Sequence, residues 1–237
     1  MTRPSRHLLA LALLLVAGAC TRPPPPAPPA PLPSPEPPAP PPPAWSYTQA
    51  WARQPGLPLR ADTLLASSQP VATVPHAAMR LDVLQVDTPR ASRLQVRCAF
   101  CPGRPTGWVS TAEVVYQPAP PEAARQGDLA EFVLAVREAA VRRDVAALRA
   151  VMAGDFVHSF EGGEGILEAV NAWERHRYND LVFLPGLLDR GVVPLPGTVL
   201  WAAPPEFATQ PGYRDLRAGF RKGPAGWEWL FLVRPGP

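Results

Sequence analysis

Few stretches of this chain could carry chemistry. One of them, Asp155-Phe-Val-His158-Ser-Phe-Glu161-Gly-Gly-Glu164, gathers a histidine and three carboxylates, with Glu174 and His176 close behind in sequence. Such groups serve as a general base or as metal ligands when a cavity holds them together. Their spacing fits no helix-borne metal motif of the His-Glu-x-x-His kind, so no metal site is assigned. The plainer reading is a polar, glycine-rich surface loop with helix-capping acids. A second stretch, Cys98-Ala-Phe-Cys101, has the spacing of a redox dithiol or of half a zinc site. It lacks a surrounding βαβ pattern, and no second Cys/His pair stands at zinc spacing. A third group, Arg137, Arg142, Arg143 and Arg149, is an anion site or, more simply, a set of solvated helix faces. No residue is assigned a catalytic role and no cofactor is expected. If the C-terminal part binds a small molecule or acts as an enzyme, His158 and Glu161 are the residues to test.

The elements that would position these groups follow from composition. Proline accounts for 35 of 237 residues, roughly three times ordinary usage. Glycine, at 17, shows no three-residue period, which excludes collagen. The net charge of +3 falls to +1 without Arg3 and Arg6, which lie in a segment read as removable. That balance is too small for an electrostatic nucleic-acid footprint, so no nucleic-acid partner is expected.

The first residues read MTRPSRHLLALALLLVAGAC. Two arginines precede an apolar run over 8–17 that ends in small residues, the pattern of an export signal. A membrane-spanning helix needs about 20 apolar residues, and this run meets Thr21, Arg22 and polyproline first. Val16-Ala17-Gly18-Ala19-Cys20 resembles the lipobox of bacterial lipoproteins. The resemblance implies that residues 1–19 are removed and that Cys20 carries acyl chains binding the membrane. With two or more chains such an anchor is stable. No Asp follows Cys20, which implies an outer-membrane lipoprotein facing the periplasm. With Cys20 acylated, Cys98 and Cys101 remain as an even pair in an oxidising compartment, where a disulfide is the default. From 22 to 44 the chain is RPPPPAPPAPLPSPEPPAPPPPA. Proline fixes φ and removes the amide donor, so polyproline II results. Such a spacer reaches on the order of 70 Å.

Between 45 and 118 short apolar runs alternate with turn residues, as in 71–74, 79–86 and 94–97. Period-two runs at this spacing predict a small barrel or sandwich. Leu57-Pro-Leu-Arg60, Val71-Ala-Thr-Val74-Pro75 and Gly107-Trp108-Val109 resemble the bacterial SH3-like (SH3b) domain. The resemblance implies a non-catalytic module for cell-wall peptide (peptidoglycan) or an envelope protein partner. Trp108, Phe100 and Trp51 are the candidates to line its groove, against the alternative that a tryptophan in so small a domain is core.

Pro118-Ala-Pro-Pro121 marks a linker. In 119–237, Asp128 precedes Leu129, Phe132, Val133, Val136 and Ala140, with Glu131 in place for a capping box. Further helices are predicted from Asp144 to Gly154 and from 166 to 177, with Leu167, Val170 and Trp173 on one side. A shorter helix is predicted over 181–188, with Pro185 and Gly186 arguing against its continuity. The end changes period: Leu216, Ala218 and Phe220, then Trp227, Trp229, Phe231 and Val233, predict a hairpin with one apolar face. Residues 198–203 predict one more strand. Arg143-Asp144-Val-Ala-Ala-Leu148, Asp155-Phe156-Val157 and Gly226-Trp227-Glu-Trp229 resemble NTF2-like (SnoaL-type) cone folds. The expected architecture is therefore multidomain, a small all-β SH3-like barrel followed by an α+β domain with helices on an antiparallel sheet. The expected function is a lipid-anchored, non-enzymatic binding module of the cell envelope. The alternative is a small-molecule-binding or enzymatic C-terminal domain.

Overall fold

Alternating side chains from residue 49 onward produce strands wherever one face can be buried. The computed structural model describes residues 46–87, 91–159 and 163–234. The export signal, Cys20, the proline-rich spacer and Glu161 lie outside the described residues. The strands β1 (Gln49–Ala52), β2 (Leu57–Arg60), β3 (Pro70–Val74), β4 (Ala77–Val86), β5 (Arg93–Cys98) and β6 (Thr106–Ser110) join through antiparallel pairings. A 3-10 turn (Thr111–Glu113) with a capping box at Ser110 leads into β7 (Val114–Val115), which pairs with β1. Leu57, Leu59, Leu81, Leu94, Val96 and Val109 point inward and form an aliphatic core. At Gly107 a Cβ would lie 2.7 Å from Leu59 Cβ and 2.9 Å from the Leu59 carbonyl carbon. Glycine is what lets β6 pass β2 so closely.

The second half opens with α1 (Pro121–Ala124) and α2 (Leu129–Val141). The Asp128 carboxylate accepts from the Glu131 amide at 2.8 Å, and Glu131 accepts back from the Asp128 amide. The chain continues through α3 (Val145–Val151), β8 (Met152–Ser159), β9 (Gly163–Glu164), α4 (Ile166–Arg175) and α5 (Asn179–Leu188). It ends in β10 (Arg190–Pro194), β11 (Trp201–Ala203), α6 (Pro205–Thr209), β12 (Arg217–Gly223) and β13 (Gly226–Val233).

Several expectations change here. Gly154 does not end a helix: α3 stops at Val151, and Met152 already belongs to β8. Leu167 is 66% exposed, and α4 buries Ala169, Val170, Ala172 and Trp173 instead. Pro185 does not interrupt α5, whose Leu181, Leu184, Leu187 and Leu188 are buried. Tertiary burial there outweighs the roughly 3 kcal/mol that an interior proline costs. Phe231 leaves the inward face because the β12–β13 register shifts at Gly219/Phe220. Beyond that bulge Leu232 turns inward, and Phe231 lies against Gly219 and Phe207. The sheet is also not purely antiparallel, since β8 runs parallel to β13.

The architecture is thus mixed, a β-rich half followed by a half that combines helices with strands. The halves share structure. The start of β4 pairs with β10, Met79 opposite Arg190 and Ala77 opposite Val192. Trp51, Ala77, Ala78 and Val115 of the first half belong to the core built around α2.

Candidate functional site

The strands of the first half put their polar partners outward, and Trp108 lies among them. It is only half-buried, while its neighbours Gly107 and Val109 are buried. Across the ladder it faces Arg60 on β2 and Gln95 on β5. Arg93 and Arg97 flank Gln95 on the same outward side. Arg97 Nη2 donates to Asp82 at 3.0 Å, and Arg93 Nη1 lies 3.6 Å from Asp87. Arg60 Nη1 donates to the Ser68 carbonyl at 2.9 Å.

Cys98 and Cys101 form a disulfide that closes the turn between β5 and β6. Both cysteines are buried, with their sulfurs 3.5 and 3.8 Å from Met79 Sδ. A bond packed against core sulfur stiffens the turn. Phe100, between the two cysteines, is 42% exposed, and the Arg80 guanidinium lies 5.2 Å from its ring centroid.

Trp51, the third groove candidate, is placed elsewhere. It is buried, and its indole N–H donates to Asp189 Oδ1 at 3.0 Å. Asp189, only 2% exposed, also accepts from Arg137 Nε at 2.6 Å, Arg137 Nη2 at 3.0 Å and Arg80 Nη1 at 3.1 Å. Arg137 lies 5.0 Å from the Trp51 ring centroid and also pairs with Glu138. Burial works against its charge, but the Asp189 hydrogen bonds outweigh it and hold the Arg137 guanidinium above its ordinary pKa. Arg137 is therefore no part of a solvated face, unlike the exposed Arg142, Arg143 and Arg149. A second tie crosses the seam where Arg53 pairs with both capping carboxylates of α2, Asp128 and, at 2.7 Å, Glu131. Sequence gave no direct signal for these partnerships. The one local clue is that Asp189 caps the C-terminus of α5, where the helix dipole disfavours an acid.

The polar stretch after Asp155 does not assemble a site among the described residues. Asp155 is bound at both oxygens by Arg221, at 2.9 and 2.7 Å. Those bonds hold its carboxyl below the ordinary carboxylate range. The His158 ring sits where a Cβ on residue 163 would be, 2.2 Å from its Cε1, and its Nδ1 is buried without a hydrogen-bond partner. Behind it the space between sheet and helices is filled by Phe156, Trp173 and Trp229. The two indoles stack at 5.6 Å, and Phe156 lies edge-on to both. Among the described residues no group of three or more His, Cys, Asp or Glu side chains stands close enough to hold a metal. A surface recess of 270 Å³ lies between the β1–β2 turn and the 3-10 turn, where the one cation, Arg53, is already neutralised. No helix among the described residues is long and apolar enough to cross a membrane.

Compared with protein-family models, with curated proteins and with solved structures, this chain finds no match.

Proposed function

We propose that this chain is a lipid-anchored envelope protein, tethered through acyl groups on Cys20 to the outer membrane and facing the periplasm. Its β-rich half acts as an SH3b-like module that binds cell wall or a partner protein, without catalysis. The observation that carries this reading is Trp108. It stands outward on β6, and the segments Leu57-Pro-Leu-Arg60, 71–74 and Gly107-Trp108-Val109 lie on β2, β3 and β6. A half-buried tryptophan on a rigid strand, with an apolar face and a free donor edge, suits recognition.

The test uses the full-length, detergent-extracted protein and purified peptidoglycan sacculi. The wild type is retained in the pellet and a Trp108→Ala form is not. Equal retention of both removes the role of Trp108. The tether is tested by labelling with a clickable palmitate analogue, which the wild type takes up and a Cys20→Ala form does not.

A further inference from the structure

We infer that the outward face of β2, β6 and β5 takes a carboxylate-bearing peptide, with Trp108 as the stacking platform and Arg60 as the carboxylate fork. This deepens, and rests on, the reading of the β-rich half as a wall-binding module. The register sets Arg60 and Gln95 directly opposite Trp108, with Arg93 and Arg97 one step along on either side of Gln95. Directly opposed residues have Cβ atoms about 5 Å apart, and diagonal ones about 7–8 Å. One indole is thus framed by three guanidinium groups and an amide.

No acid occurs in β2, β5 or β6. The acids answering this frame come from the β4 side and are shared or distant. Asp82 serves Arg97 and, at 3.6 Å, Arg80 as well, while Asp87 stands 3.6 Å from Arg93. The Arg97 and Arg93 side chains are 43% and 37% exposed, and ion pairs that exposed contribute little, so an incoming anion displaces them at small cost. Arg60 has no carboxylate partner among the described residues, and its single bond to the Ser68 carbonyl fixes one edge of the guanidinium. The planar fork matches a carboxylate through two parallel hydrogen bonds, which a neutral amide cannot reproduce. The Trp108 indole N–H likewise makes no hydrogen bond among the described residues. Charge, planarity and an apolar plate therefore converge on one face, and all are mounted on paired strands.

The probe is the tripeptide Ala-D-Glu-Ala with free carboxylates, titrated against full-length protein in detergent. The same peptide with its carboxylates amidated is the control, and sacculus retention is measured in parallel. The free peptide binds at least about tenfold more tightly than the amidated one, and Arg60→Gln removes that difference. Raising the salt weakens the free peptide alone. An Arg93→Gln/Arg97→Gln double variant gives a smaller loss, and covers the case in which Arg60→Gln fails to fold. Equal affinity for the two peptides, or an unchanged preference in both variants, overturns the inference. If sacculus retention then still depends on Trp108, the module reading stands alone. Absence of both retention and peptide binding overturns the two together.

Discussion

The core of the β-rich half is aliphatic. Leu57, Leu59, Leu81, Leu94, Val96 and Val109 meet there, and no buried ring enters it. The helix-bearing half closes instead over Phe132, Phe156, Trp173, Phe220 and Trp229. A small strand layer lacks the depth to enclose an indole, so its large rings go to its margins. Trp51 goes to the seam, Phe100 to the disulfide turn and Trp108 to the open face. In the second half Trp173 and Trp229 are packing material; in the first, the partly buried Tyr116 packs against the core, whereas Trp108 stands on the open face. Trp108, on the open face, is therefore the aromatic residue to test for binding.

The contrast can be broken at the seam. Asp189→Ala leaves Arg137, Arg80 and the Trp51 indole without their shared acceptor. Loss of one partner in a buried charge cluster costs about 3–5 kcal/mol. Urea unfolding read by far-UV circular dichroism and by tryptophan fluorescence is expected to shift in one common transition. A shift in one signal only would mean that the halves are independent. The next effect is smaller: replacing Cys98 and Cys101 together by serine costs about 2 kcal/mol, the loop-closure value for so short a loop. Thermal unfolding of the oxidised wild type and the double variant measures it.

His76, between β3 and β4, adds a pH test at the same seam. Burial lowers its pKa from 6.5, although the charge of Glu206 works the other way. The unfolded chain therefore binds a proton first as the pH falls through about 6.5. Stability is full above that value and declines below it. His76→Gln is expected to flatten the slope below about pH 6.5 in denaturant titrations; an unchanged slope removes His76 as its source. The smallest effect sharpens the contrast from the other side. Trp108→Ala is expected to cost about 1 kcal/mol or less, as a surface substitution does. A core-like loss of several kcal/mol on chemical denaturation would place Trp108 among the packing residues.

Elements governed by neighbours in sequence were legible. Asp128 and Glu131 announced α2, and the short apolar runs over 71–74, 79–86 and 94–97 announced β3, β4 and β5. The disulfide followed from an even cysteine pair in the compartment that the lipobox resemblance implies. What escaped depends on partners far away. The Leu167 error arises because periodicity marks a stripe but does not say which edge of it meets a neighbour. The Phe231 error arises because one bulge inverts every later side chain. Asp189 was invisible because its partners stand at 51, 80 and 137. Arg60 and Gln95 became neighbours of Trp108 only once the register was known.

The ten residues of β4 belong to both halves at once. Near its start the strand lies against β10, and further along against β5 and β1. Transplanting residues 46–118 onto another carrier would carry a raw edge with it. The backbone groups of Ala77 and Met79 would lose their ladder, and two alanines and an indole would face water. Open edges of that kind invite self-association. The prolines near 118–121 advertise a place to cut, yet a fragment severed there would clump, so gene shuffling could inherit the pair far more readily than either piece.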